Sequence, residues 1–205
     1  LQTDAKLPES FVSGRRVSVS ILPDRPYGNT RCRGGLLKPP MPVSQIIEVF
    51  NKRLGARYGV RLEGGGAEPF YQAPKAAECA LIVFRADYGA SALHEVAHWC
   101  LAGPQRRQLD DYGYWYLPAR NAVQQAAFEA VEARPQALEA LFAEAAGVDF
   151  RVSSDDVACL PSPGFKAQVA AERRLIEQPL PVSATCFPAA LQGANSVSAP
   201  TASPS

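Results

Sequence analysis

Apolar side chains recur at helical spacing in the first well-patterned part of the chain. The stretch begins after Ser44, a residue type that often caps helix N-termini, and it ends near Gly55. Its apolar positions follow steps of three and four residues: Ile46, Ile47, Phe50 and Leu54. This pattern predicts an amphipathic helix with one buried face.

Three short strands are predicted next, at residues 59–62, 69–72 and 79–85. Turns that contain glycine or proline separate them, including the glycine run at 64–66. The third strand contains a continuous apolar run, which is typical of a buried strand. It leads almost directly into the next helix.

The second half of the chain has helical patterns only. One helix is predicted from about 119 to 134, a separate one from Pro135 to Gly147, and a last one at 165–176. Taken together, the patterns predict an α+β fold in which a small mixed sheet packs against helices.

The two ends of the chain differ in composition from the middle. Residues 1–40 are rich in arginine, proline, serine and glycine, and we expect a disordered or weakly ordered extension there. Residues 41–192 are predicted to form one metal-binding catalytic domain, and residues 193–205 a disordered tail. Met41 is the only methionine, which suggests the hypothesis that translation starts at this residue.

The charge of the chain is close to balanced. A net charge of +1 over 205 residues gives no general affinity for nucleic acid or membranes. The number of cysteines is odd and no two have C-x-x-C spacing, which favours a reducing compartment. We therefore predict a cytoplasmic protein that binds neither nucleic acid nor a membrane directly.

The two histidines of the chain, His94 and His98, lie four residues apart, and Glu95 follows the first of them. Residues at i and i+4 share one face of a helix, so both imidazoles can bind a single metal ion. The spacing therefore predicts a metal site.

Two histidines are too few to hold a metal ion well, so a third ligand is expected, and a carboxylate is a common choice. Glu129 and Glu132 fall on one face of the helix predicted at 119–134. Either one could bind the metal while the other orients a histidine. Spacing within this helix leaves both open.

Two imidazoles and one carboxylate support two chemistries. With zinc, an open position activates water for hydrolysis, and Glu95 acts as general base, as in a zinc metalloprotease. With iron(II), the same ligands leave positions open for dioxygen and substrate. The ligand types do not choose between these metals.

Several motifs resemble, in order, those of the elongation factor P hydroxylase family. The likeness spans roughly residues 43–192 and is carried by the segments 90–100, 102–103, 106–107, 111–116, 128–132 and 135–138. The resemblance implies an enzyme that uses iron(II) and dioxygen to hydroxylate a lysine of elongation factor P, after another enzyme has attached a β-lysyl group.

The resemblance also implies a ligand set of His94, His98 and a glutamate of the second helix. We predict that the metal is held between two helices in a zincin-like arrangement. We prefer Glu132 as this glutamate and keep Glu129 as the alternative. In this interpretation Glu95 orients water or relays protons. A third hypothesis is a non-catalytic adaptor that binds the translation factor and keeps a structural metal.

The residues that contact substrate are predicted from their chemistry. A β-lysylated lysine is long and cationic, so Asp110 and Asp111 are candidates to bind its amines, although both residues are equally suited to turns. Tyr114 and Trp115 could line a channel for the alkyl chain, or serve the core instead.

Overall fold

The computed structural model describes residues 39–113, 120–154, 160–176 and 180–197. In chain order the helices and strands are α1 (Val43–Phe50), α2 (Ala56–Tyr58), β1 (Val60–Gly66), β2 (Phe70–Gln72), β3 (Ala80–Arg85), α3 (Gly89–Leu101), α4 (Ala122–Ala146), α5 (Pro163–Leu175) and α6 (Val182–Val197). The predicted α+β class with a small mixed sheet is confirmed.

The sheet has the strand order β1-β3-β2. β1 pairs parallel to β3, and β2 pairs antiparallel to it, so β3 is the central strand. Buried side chains alternate along β3, and Ile82 and Phe84 are inaccessible to solvent. The predicted glycine turn at 64–66 is instead the end of β1, where Gly64 lies so close to Phe84 that a Cβ would collide with its ring.

The first helical stretch is longer than predicted. Pro42, not Ser44, lies at its N-cap position, and α1 continues through a π-helical turn, Asn51–Gly55, into α2. The stretch ends at Gly59, whose φ of 64° is left-handed and therefore suits glycine. Gly55 does not end the helix, because its φ and ψ remain helical.

The predicted break at Pro135 is wrong, because α4 is one helix of 25 residues with Pro135 inside it. A proline in a helix interior costs about 3 kcal/mol. Beyond Pro135, α4 buries Leu138 and Phe142 completely, and each such side chain contributes about 1.5–3 kcal/mol. The packing of this half of the helix therefore offsets the proline.

The helix α4 begins with a capping box between Asn121 and Gln124 and packs against α3, α5 and α6. The main core lies where α1, α3, α4 and α6 meet the sheet, and its aromatic members include Phe50, Trp99, Phe142 and Phe187. Edge-on contacts join their rings, with Phe50 against Trp99 and against Phe187. This core fixes α3 against α4.

The C-terminal part contains a helix that was not predicted. The helix α5 matches the predicted helix at 165–176, whereas α6 has no predicted counterpart, and its last residues lie within the predicted tail at 193–205. Among the described cysteines, Cys79, Cys100 and Cys186 are free thiols. No helix in the described ranges combines the length and apolar character that a membrane span needs.

Candidate metal centre

The helix α3 presents two kinds of side chain on adjacent faces. Its core-facing residues are fully or almost fully buried: Ala92, Leu93, Val96, Ala97, Trp99 and Cys100. Its C-terminal end is held by Arg107, whose guanidinium donates hydrogen bonds to the carbonyl oxygens of Trp99 and Cys100 at 2.9 and 3.3 Å. The helix is thus anchored on one side and leaves His94 and His98 to face α4.

His94, His98 and Glu132 converge at one point between α3 and α4. The Nε2 atoms of the two imidazoles are 3.0 Å apart. One carboxylate oxygen of Glu132 lies 3.6 Å from His94 Nε2, and the other lies 3.3 Å from His98 Nε2. The triad therefore comes from two helices that are far apart in sequence.

The residues of this triad fit a divalent metal ion. Ligand atoms about 2.1 Å from an ion are about 3.0 Å apart at right angles and about 3.4 Å apart at the tetrahedral angle, close to the distances in the triad. One oxygen of Glu132 is buried and has no hydrogen-bond partner, which is costly in a protein interior. A metal ion bound by that oxygen would remove the cost.

Glu139 also contacts the triad, and sequence reasoning missed it. Its carboxylate lies 2.8 Å from Nδ1 of His94, on the opposite side of the ring from the triad. A proton on Nδ1 donated to Glu139 leaves Nε2 of His94 free to bind metal. Glu139 follows Glu132 by seven residues, which is two helical turns. This spacing places both glutamates on the same face of one helix, and it is the feature of the sequence that could have identified Glu139.

The carboxylates and imidazoles shift one another's pKa. Burial alone would lower the pKa of His94, but the hydrogen bond and charge of Glu139, with the charges of Glu132 and Glu95, raise it well above 6.5. Burial alone would raise the pKa of Glu132, but the imidazoles of His98 and His94 lower it to about 2. In the metal-free protein, a proton on His94 therefore supplies positive charge beside Glu132.

The carboxylate of Glu129, the alternative ligand, makes its hydrogen bonds outside the triad. Its carboxylate accepts hydrogen bonds from the Ser162 hydroxyl at 3.0 Å and from the Gln125 amide at 3.3 Å. These contacts tie α4 to the start of α5. Glu132 is the glutamate that lies against His94 and His98.

The structure gives Asp110 and Asp111 backbone partners. Asp110 accepts a hydrogen bond from the Ala73 amide, and Asp111 accepts one from the Tyr71 amide, both at 2.8 Å. These bonds attach the turn Asp110–Gly113 to β2 and its exit. Contact of either carboxylate with substrate stays a prediction, and Tyr114 and Trp115 lie outside the described residues.

Comparison with known proteins identifies the family. A sequence model described as elongation factor P hydroxylase matches residues 49–202, which include every residue of the triad. The chain belongs to this family.

A curated relative supports the same assignment over part of its length. It is the elongation factor P lysine hydroxylase of Haemophilus influenzae, 44% identical over 117 residues. The match covers 56% of this chain and 66% of the relative. The chain thus spans just under two thirds of that relative's length.

The pKa shifts predict how the stability of this family member depends on pH. In the metal-free state, the contribution of His94 to the free energy of unfolding is complete below pH 6.5, and it is lost as the pH rises through the raised pKa of His94. The contribution of Glu132 is complete above pH 4.5 and is lost as the pH falls toward 2. The metal-free protein should therefore lose this stabilisation above pH 6.5.

Thermal unfolding between about pH 5 and about pH 9, with and without a divalent metal, checks this prediction. Metal binds deprotonated histidine, so the metal-loaded protein should keep its unfolding temperature above neutral pH. His94→Gln is the control, since the high-pH loss should shrink in the metal-free variant. Parallel pH curves for the wild-type protein with and without metal would contradict the expectation.

Proposed function

We propose that this protein hydroxylates the β-lysylated lysine of elongation factor P, with iron(II) as cofactor and dioxygen as co-substrate. The observation that carries the proposal is the convergence of His94, His98 and Glu132 on one point. Two imidazoles and one carboxylate on one face of an ion form the ligand set of non-haem iron oxygenases. Membership in the elongation factor P hydroxylase family supports the same chemistry.

The reaction inserts one oxygen atom into a C–H bond of the modified lysine. The second atom of dioxygen leaves as water, which consumes two protons and two electrons from an external reductant. Iron(II), when bound to the triad, supplies the redox chemistry and the open positions for dioxygen.

The protein's own side chains hold this site in place. Glu139 fixes the ring of His94 through Nδ1, so that Nε2 stays directed to the triad. The charge of Glu95 acts on both His94 and Tyr112, which supports a role for Glu95 in proton transfer or water orientation near the centre. The side chains of His94 and His98 are 16% and 10% exposed, so small molecules can reach the ligands.

The partner of this enzyme is a protein, and the proposal needs neither nucleic acid nor a membrane. Elongation factor P would present its modified lysine as a slender arm that enters the site. Since that factor acts in translation, we propose that the enzyme works in the cytoplasm.

Incubation of β-lysylated elongation factor P with the iron-loaded protein tests the function. With dioxygen and a reductant present, intact-mass spectrometry should show the gain of one oxygen atom, and isotopically labelled dioxygen should deliver the label. The unlysylated factor and the His94→Ala variant are the controls. If the wild-type protein adds no oxygen while a known family member does so in parallel, the proposal fails.

A zinc metalloprotease is the alternative, and the position of Glu95 directly after His94 favours it. A glutamate near a metal-bound water can act as general base for hydrolysis. Metal analysis after anaerobic purification distinguishes the two functions. Tight zinc together with peptide cleavage that Glu95→Gln abolishes would support the protease, whereas iron with oxygen insertion supports the hydroxylase.

A further inference from the structure

A cavity of about 170 Å³ adjoins the candidate metal centre. His98 and Glu132 form part of its wall, so it opens directly on the triad. The remaining lining comes from Leu101, Ala102, Arg106, Tyr112, Val131, Arg134 and Pro135. Pockets for drug-sized ligands are usually about 300–1,000 Å³, so this one suits a slender side chain.

Tyr112 lines this cavity and carries a hydroxyl group that makes no hydrogen bond. Its side chain is 5% exposed, and its hydroxyl is buried without a hydrogen-bond partner. Its ring stacks on Tyr71, with centroids 4.3 Å apart and planes 14° from parallel. The hydroxyl of Tyr71, in contrast, donates a hydrogen bond to the carbonyl oxygen of Arg107 at 2.8 Å.

The backbone at Tyr112 is strained, and the surrounding structure maintains the strain. Asp111 and Tyr112 have φ values of 48° and 56°, in the left-handed region that bulky residues rarely adopt. The carboxylates of Asp110 and Asp111 bind β2 and its exit, and Arg106 donates from Nε to the Tyr112 carbonyl oxygen at 3.1 Å. Strain of this kind, kept in place by several anchors, clusters at functional sites.

The Tyr112 phenol is suited to donate a hydrogen bond. Burial raises its pKa well above 10, and the charge of Glu95 raises it further. It therefore keeps its proton throughout the physiological pH range. A buried O–H group without a partner is a donor prepared for an acceptor that arrives with a ligand.

We propose that the Tyr112 hydroxyl donates a hydrogen bond to the amide carbonyl oxygen of the acylated lysine arm in this cavity. The inference rests on the proposed function, in which acylation of the lysine amine creates an amide. The unmodified lysine has no such acceptor. Tyr112 would thus let the site distinguish the acylated arm from a plain lysine.

Binding measurements with the Tyr112→Phe variant test this inference. Phenylalanine keeps the ring that stacks on Tyr71 and removes only the hydroxyl. Under anaerobic conditions with iron(II), the variant should bind β-lysylated elongation factor P about 5- to 10-fold more weakly than wild type. Its affinity for the unmodified factor and its metal content should not change.

Thermal stability separates this role from a structural one. Since the hydroxyl has no partner in the ligand-free protein, Tyr112→Phe should unfold at the same temperature as wild type or slightly higher. Tyr88→Phe is the matched control, because Tyr88 is 44% exposed at the start of α3 and does not line the cavity. It should leave affinity unchanged.

Three results would overturn the inference. The first is equal affinity of Tyr112→Phe and wild type for the acylated factor, and the second is an equal loss of affinity for both forms of the factor. If wild type adds oxygen in either case, only the role of Tyr112 is rejected. The third is a wild-type protein that neither prefers the acylated form nor adds oxygen, which would reject the proposed function as well.

Discussion

The Glu132→Gln variant should lose metal binding, with an affinity for iron(II) at least about 100-fold below that of wild type. Glutamine has nearly the same shape as glutamate but carries no charge. It therefore cannot neutralise the positive charge of the metal or of a protonated imidazole beside it. Hydroxylation of elongation factor P should fall below detection. Anaerobic metal titration, metal analysis and mass spectrometry of the factor measure these effects.

Glu129→Gln is the matched control for this experiment. It changes the same residue type, one helical turn earlier on α4, where the carboxylate binds Ser162 and Gln125. Its metal affinity and activity should stay within about 2-fold of wild type, because its contacts lie outside the triad. Loss of metal in Glu129→Gln with retention in Glu132→Gln would show that the ligand is assigned to the wrong residue.

The Glu139→Gln variant should bind iron(II) about 10- to 100-fold more weakly than wild type. The charged carboxylate contacts Nδ1 of His94 at 2.8 Å, where it fixes the ring and makes Nε2 a better ligand. Unlike Glu132→Gln, this variant keeps all three proposed ligands. Activity should therefore return in part when iron(II) is added in excess, which a titration of activity against metal will show.

Glu144→Gln provides the control on the same helix. The side chain of Glu144 is 70% exposed and pairs with Arg173, away from the triad. Its removal should leave metal affinity unchanged, since exposed ion pairs contribute about 0–1 kcal/mol. If Glu139→Gln binds metal as tightly as this control, Glu139 does not orient His94.

The elements of the fold were predictable where local pattern and packing agree. The apolar run of β3 and the helical spacing in α3 each match a buried element, and the structure confirms both. The glycines of β1 were misleading, because glycine commonly marks turns but here allows a close approach to Phe84. Pro135 was misleading for the opposite reason, since tertiary packing kept α4 continuous through a residue that usually ends helices.

Glu139 and Tyr112 were not predicted as site residues, and the physical reason is the same for both. The prediction placed Glu139 in a separate helix from Glu132, so the seven-residue spacing did not indicate a shared face. The two residues share a face because α4 is continuous. Tyr112 lies in a turn whose left-handed backbone no periodic pattern indicates. The contacts of both residues join segments that are distant in sequence.

Residue spacing and motifs alone predicted that His94 and His98 share a face, that a carboxylate joins them, and that the chain resembles the elongation factor P hydroxylase family. These conclusions depend on spacing within one helix or on matched motifs, and both are local. That Glu132, rather than Glu129, lies against the histidines became visible only in the folded chain. The two glutamates lie about one helical turn apart on α4. Which of them lies against α3 depends on the rotation of α4 about its axis, and the packed core sets that rotation.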